Sequence, residues 1–235
     1  MKTKPHARSR SGRIVFITGT DTGVGKTIFT GLLVHHLRSV GTHALAMKPF
    51  CSGGRGDVRL LRAMQDAELS EDEINPFYFP EPVAPLVSAR KHKRVIELNE
   101  VVRSIKKIAA RCECLLVEGS GGLLVPLAED YVVSDVICRL ECEVIVVSCN
   151  RLGTINHTFL TVAALKNAGV KRIAVALMAA NRTDASGKTN ARVLSEFLAP
   201  IPILEIDFLG KKANEIAVLK KSCKKIKKTL AQFYR

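Results

Sequence analysis

Short runs of β-branched and aliphatic residues alternate along the chain with longer stretches in which apolar positions recur at helical spacing. Residues 13–18 read as a buried strand and 26–38 as a helix ending near Gly41. Residues 43–48 predict a second strand and 57–68 a short helix, whereas 76–85, dense in breakers, predicts a loop. Further strands are expected at 115–118, 143–148, 173–178 and 203–206. Helices are expected at 98–112, 156–167 (closed by Gly169), 191–198 and 213–234. Strands joined by helices demand βαβ crossovers, so the pattern predicts an α/β fold: a mostly parallel, doubly wound sheet with helices on both faces. No internal repeat and no linker divides the sequence. One domain is expected over residues 1–235, with a basic N-terminal tail at 1–12 and a basic C-terminal helix within 211–235.

Composition narrows the classes. With 235 residues, 47% hydrophobic and 25% charged, the chain has ample material for a core, and disorder, collagen-like and disulfide-miniprotein classes are excluded. The longest apolar runs, 144–147 and 173–180, fall far short of the roughly 18–20 residues of a membrane span. Nine Phe, three Tyr and no Trp offer little for base stacking. The net charge of +14 suggests a polyanion binder until it is located. Residues 1–13 carry five basic side chains and no acid, and 211–235 carry nine against Glu215 alone. The body between them holds 22 basic and 21 acidic residues, so both ends are expected to be solvated, with neither specific nucleic acid nor membrane as partner. The apolar stretch 14–17 is too short for a secretory signal, and a cytoplasmic protein is expected. Seven cysteines in no metal-binding spacing read as reduced thiols, Cys112, Cys114 and Cys149 lying in or beside strand-like runs.

In such a sheet, ligands bind beyond the carboxyl ends of the strands. After the first strand comes Gly19-Thr20-Asp21-Thr22-Gly23-Val24-Gly25-Lys26-Thr27, a glycine-containing loop running through Gly-Lys-Thr into a helix. Glycines turn backbone N–H groups inward as an anion nest, and the helix dipole adds to it. Lys26 can reach the β- and γ-phosphates, and the Thr27 hydroxyl can bind Mg²⁺. Five residues rather than four separate Gly19 and Gly25, yet the context predicts a nucleoside triphosphate site of the P-loop NTPase type. After the second strand, Lys48-Pro49-Phe50-Cys51-Ser52-Gly53 sets a lysine at the crevice. Asp57 follows, either as a metal ligand or as a first-turn acid. After the strand at 115–117, Glu118-Gly119-Ser120-Gly121-Gly122 offers a carboxylate where P-loop enzymes hold a metal ligand or its water. Arg151-Leu152-Gly153-Thr154-Ile155-Asn156-His157 offers a second anion site or ordinary N-capping, and Asn181 an amide able to match adenine.

Together these segments resemble the dethiobiotin synthetases, ATP-dependent carboxylases of biotin synthesis. The matching pieces are 19–27, 48–53 with Asp57, Glu81-Pro82 and Pro85, 117–122, 151–157, Asn181 and the strand leading to Glu205. The resemblance implies Mg²⁺, with ATP as co-substrate, and a homodimer. It implies that 7,8-diaminononanoate captures CO₂ as a carbamate, that ATP phosphorylates the carbamate, and that the second amine closes the ureido ring with release of ADP and phosphate. Lys48 and Lys26 are then the catalytic cations, and Thr27, Asp57 and Glu118 hold the metal. ATP contacts are implied for Gly23, Val24, Gly25, Lys26, Thr27 and Ile28. They are implied also for Asp57, Glu118, Gly119, Ser120 and Gly121, and for Asn181, Arg182 and Asp207. Substrate contacts are implied for Thr22 and Ser52, with Gly153, Thr154 and Asn156 holding the substrate carboxylate across the dimer. Departures from the family pattern are Gly23 in place of Glu, Ala84-Pro85-Leu86 in place of Ser-Pro-His, Val193 in place of a Tyr, and Asp207 in place of a Pro. The rival class is a partner-positioning switch ATPase of the partitioning type. Such proteins carry an extra lysine early in the loop, which Thr20, Asp21 and Thr22 do not supply, and they leave the Lys48–Gly53 block unexplained. A cobyrinate amidase would need an amidotransferase domain for which the residues after Gly210 are too few.

Overall fold

A computed structural model describes residues 12–181 and 184–234. In chain order the elements are β1 (Arg13–Gly19), α1 (Lys26–Ser39), β2 (Ala44–Met47), β3 (Phe50–Ser52), α2 (Gly56–Met64), α3 (Glu71–Ile74), β4 (Phe77–Phe79) and α4 (Pro85–Lys91). Then come α5 (Leu98–Ala109), β5 (Cys114–Glu118), α6 (Val133–Leu140), β6 (Glu143–Asn150), α7 (Thr154–Asn167), β7 (Ile173–Ala179), α8 (Asn190–Leu198), β8 (Ile203–Ile206), α9 (Ile216–Lys225) and α10 (Lys227–Leu230). Short 3₁₀ turns lie at Ala185–Lys188 and Ala231–Tyr234.

Six strands form one parallel sheet in the order β2-β5-β1-β6-β7-β8, as the alternation of strands and helices predicts. Strands β2 and β5 are buried throughout, and β1 and β6 are nearly so, because helices cover both faces and leave no polar side to alternate. Register fixes what meets at the carboxyl rim. Ile17 pairs with Glu118 and Gly19 with Val147, so the loop after β1 emerges between the ends of β5 and β6. No helix among the described residues is long and apolar enough to cross a membrane. All seven cysteines are free thiols; Cys51, Cys112, Cys114 and Cys223 are buried, while Cys138 is exposed and Cys142 and Cys149 are half-buried.

Several expected boundaries shift, each for a local reason. The helix expected over 57–68 stops at Met64, because Asp66 and Ala67 take left-handed backbone angles (φ 55 and 57). The expected loop 76–85 contains a strand. Phe77 and Phe79 face the interior on either side of Tyr78, and β4 pairs with β3 in a small parallel ribbon where Phe77 stacks on Phe50 at 5.0 Å. The expected C-terminal helix begins only at Ile216 and is interrupted at Ile226.

That C-terminal segment packs on the helix that leaves the glycine loop. Leu219, Cys223, Leu230 and Phe233 are buried, and the Phe233 ring meets Phe29 of α1 edge-on at 4.9 Å. A Cβ at Gly31 would stand 2.9 Å from Leu60 and 3.3 Å from Leu219, so only glycine lets α2 and α9 close on α1 at that point. Phe233→Ala is therefore expected to cost about 3 kcal/mol, lowering the melting temperature by roughly 6–12 °C. A thermal melt unchanged within error would show that the segment is not part of the core.

Candidate active site

A cleft of about 1110 Å³ opens at the carboxyl rim of the sheet. Its floor is the loop after β1. Gly25 caps α1 in a left-handed conformation (φ 101) with no side chain occupying the helix end, so the first N–H groups of α1 remain available to an anion. Lys26 is buried and its ammonium donates to the Asp21 carbonyl at 2.9 Å. Burial lowers its pKa to about 8, with Glu118 working against that shift and Lys48 reinforcing it.

Lys48 stands where β2 ends. Its backbone N–H donates to the Ile74 carbonyl, and the buried Asn75 amide donates to the carbonyls of Lys48 and Pro49, which fixes the turn into β3. The residue is only 7% exposed, and its ammonium donates to Glu118 Oε1 at 2.9 Å and to Asp57 Oδ2. Burial disfavours the ammonium, but Glu118 and Asp57 outweigh it and hold the pKa above the ordinary lysine value. Thr27 Oγ1 donates to the same Glu118 Oε1 at 2.7 Å. Glu118 is fully buried, and its other oxygen, Oε2, has no partner among the described residues. Lys48, Asp57, Glu118 and Thr27 thus form one bonded group around a carboxylate with a lone pair to spare, and Lys26 stands in its field.

Ser52, Thr22, Gly23, Ile28, Ser120 and Gly121 also line the cleft, and Ser52 Oγ is buried without a partner among the described residues. Residues Pro82, Val83, Ala84 and Pro85 form the facing wall. Beside that wall Glu81 binds Lys91 at 2.7 Å, accepts from the Ser88 hydroxyl at 2.6 Å and meets His92 at 3.0 Å. Those partners, Lys91 foremost, hold its carboxyl well below the usual range.

Other expected residues stand elsewhere. Val24 turns a buried side chain to the core, and Gly119 spends its N–H on the Ile17 carbonyl at 2.9 Å. Asn181 and Asp207 are exposed and do not line the cleft, and Arg182 lies outside the described residues. Gly153, Thr154 and Asn156 are also outside the cleft of their own chain. The Thr154 hydroxyl pairs with Ser148 Oγ at 2.6 Å, its N–H donates to the Arg151 carbonyl at 3.1 Å, and the Leu152 N–H donates to Asp184 Oδ2 at 2.9 Å. Conversely, the cleft takes in Arg59 and Leu60 from α2, and Asn214 and Ile216 from just before and within α9, none of which the sequence pattern singles out. An amphipathic repeat identifies the buried side of α2 but not which exposed residue faces a ligand, and the lysine-rich composition after Gly210 hides a cleft wall.

Among the described residues no three His, Cys, Asp or Glu side chains cluster as a metal cage. A P-loop Mg²⁺ needs no such cage, since a hydroxyl and one or two carboxylates would hold it together with the nucleotide's phosphates. The Thr27 hydroxyl and the spare Glu118 oxygen fit that requirement.

A parallel sheet with a glycine loop opening onto a helix N-terminus, and lysines converging on a buried carboxylate, defines a P-loop nucleotide-using enzyme. Residues 13–208 match the AAA domain family. The chain is 39% identical to the ATP-dependent dethiobiotin synthetase of Bacillus licheniformis, over 81% of this chain and 83% of that protein. It is 40% identical to the same enzyme of Bacillus velezensis, over 83% and 85%. Among solved structures it resembles a ParA family ATPase from Chlorobium tepidum, with a TM-score of 0.57 and 17% identity over 95% of this chain and 98% of that one, a likeness of fold. The chain belongs to the ATP-dependent dethiobiotin synthetase family.

Proposed function

We propose that the chain uses ATP and CO₂ to convert 7,8-diaminononanoate to dethiobiotin; its relatives' name gives the ATP dependence and the product. The observation that carries the reading is the bonded group in which Glu118 accepts from both Lys48 and Thr27, beside Lys26 of the glycine loop. In the proposed reaction one amine nitrogen of the substrate bonds to the carbon of CO₂ and loses a proton, giving a carbamate. A carbamate oxygen then attacks the γ-phosphorus as the bond to ADP breaks. The second amine attacks the carbonyl carbon, loses a proton and expels phosphate. The middle step sets an anion against an anion, so concentrated positive charge must meet it. Lys26 serves the phosphate side and Lys48 the carbamate side. Glu118 and Asp57 keep Lys48 charged inside the protein. Mg²⁺, held by Thr27, Asp57 and Glu118, would neutralise phosphate charge when bound. Ser52 and Thr22 are proposed to hold the diamine end of the substrate.

Gly153, Thr154 and Asn156 are proposed to receive the substrate carboxylate in the cleft of a second copy. Exposed Leu152 and Leu160, before and within α7, and exposed Phe197 of α8, which packs on α7, support a homodimer. Sedimentation equilibrium is expected to give twice 25.7 kDa, and a mass of 25.7 kDa at micromolar concentration would oppose it. The likeness to the ParA family ATPase is one of fold and brings no partner-positioning role with it.

Lys26 makes a pH prediction. A lysine depressed to about 8 attracts phosphate only while protonated, and bound polyphosphate raises its pKa. ATP affinity is therefore expected to fall as pH rises through 8, with proton uptake on binding near that pH. Calorimetry in buffers of different ionisation enthalpy measures this, and no proton uptake at pH 8 would contradict it. The reaction itself is tested by mass spectrometry of the product formed with isotopically labelled bicarbonate. Label in a ureido ring is expected; unlabelled or absent dethiobiotin overturns the reading.

A further inference from the structure

We propose that Arg59 is a nucleotide-binding residue, an outer clamp that α2 extends over ATP opposite Asn214 and Ile216. The inference rests on reading the cleft as the ATP site. Five ionised side chains line the cleft: Lys26, Lys48, Asp57, Arg59 and Glu118. Lys48 is spent on Asp57 and Glu118, and Lys26 lies in the field of Glu118, so the inner four carry no net charge among themselves. Arg59 is the remaining charge. Its guanidinium makes no ion pair and no side-chain hydrogen bond with the described residues. Its neighbour Arg55 is committed differently, to Asp72 at 2.9 Å and over the Tyr78 ring at 4.4 Å.

Position supports the same conclusion. On α2 Arg59 follows Asp57 by two positions and directly precedes Leu60: Leu60 forms the buried wall, and Arg59 emerges on the exposed side of the helix, still on the cleft. The wall across from it comes from α9, which packs against both α1 and α2. Ile28, Leu60 and Ile216 give this end of the cleft apolar surface, with Asn214 as an amide and Arg59 as a planar cation. Such a lining suits the nucleoside and adjoining phosphate of a nucleotide whose terminal phosphates lie on the glycine loop. A planar guanidinium can pair with phosphate oxygens or stack on a base.

The test is calorimetric titration of MgATP and of ADP into wild type, Arg59→Ala and Arg59→Lys, alongside steady-state kinetics. Arg59→Ala is expected to weaken both nucleotides about tenfold and to raise the KM for ATP similarly. Its kcat at saturating ATP and its KM for the diamine should stay within about twofold, a split that misfolding would not produce. Arg59→Lys should recover part of the affinity. Wild type that binds nucleotide while Arg59→Ala binds it equally well overturns the role of Arg59 alone. Wild type that binds neither nucleotide overturns this inference together with the function on which it rests.

Discussion

Lys48→Ala is expected to lower dethiobiotin formation by roughly 10³-fold while ADP still binds within a few-fold of wild type. The lysine sits at the end of β2, held through its own backbone by Ile74 and Asn75, and its ammonium is the cation nearest the buried Glu118. Removing it takes positive charge from the proposed carbamate side without touching the glycine loop. It also strands Glu118, fully buried, with Thr27 as its one remaining hydrogen-bond donor. A buried carboxylate without its counter-ion is an uncompensated charge, so the variant should melt below wild type. Lys48→Ala combined with Glu118→Gln should recover the melting temperature but not the turnover, which separates catalysis from folding. Turnover retained in the single variant would refute the assignment of Lys48.

Glu118→Ala is expected to produce the second large effect, on stability and activity together. Glu118 accepts from Lys48 and Thr27 and is the chief group opposing the depression of the Lys26 pKa. Without it two buried ammonium groups share Asp57, whose side chain is about half exposed and therefore a weaker counter-ion. Breaking such a buried pair typically costs about 3 kcal/mol or more, a fall of roughly 6–12 °C in melting temperature. Lys26 should then titrate below 8, so ATP affinity at neutral pH drops as well. Glu118→Gln keeps the shape and isolates the charge; it should fold better than Glu118→Ala and remain deficient in turnover. A melt and turnover both unchanged for Glu118→Ala would remove the carboxylate from the centre of the site.

The sheet was legible because its central strands are uninterrupted aliphatic runs, and each of the three post-strand segments that matter begins at the residue where such a run ends. Gly19, Lys48 and Glu118 could be brought to one rim by topology alone, and Glu118 indeed accepts from Lys48 and Thr27. What escaped was set by tertiary contact. Phe77 and Phe79 form a strand only because Phe50 and Cys51 supply an edge to pair with, and the prolines around them mask the alternation. Asp66 and Ala67 end α2 through backbone angles that their side chains do not announce. The segment after Gly210 reads as a solvated lysine-rich helix. Its few apolar residues, Leu219, Leu230 and Phe233, nonetheless bury against α1, and Asn214 and Ile216 reach the cleft. Thr154 illustrates the opposite case. A threonine at a helix start suggests a side-chain contact to ligand, yet its hydroxyl closes on Ser148 within the chain.

The central claim is that the Lys26–Lys48–Glu118 group turns over ATP for an amine that has already captured CO₂. ADP release, followed with the diamine and bicarbonate added singly and together, tests it most directly. The account predicts that ADP appears only when both are present, one for each dethiobiotin formed. ADP released at the same rate without the diamine would contradict it.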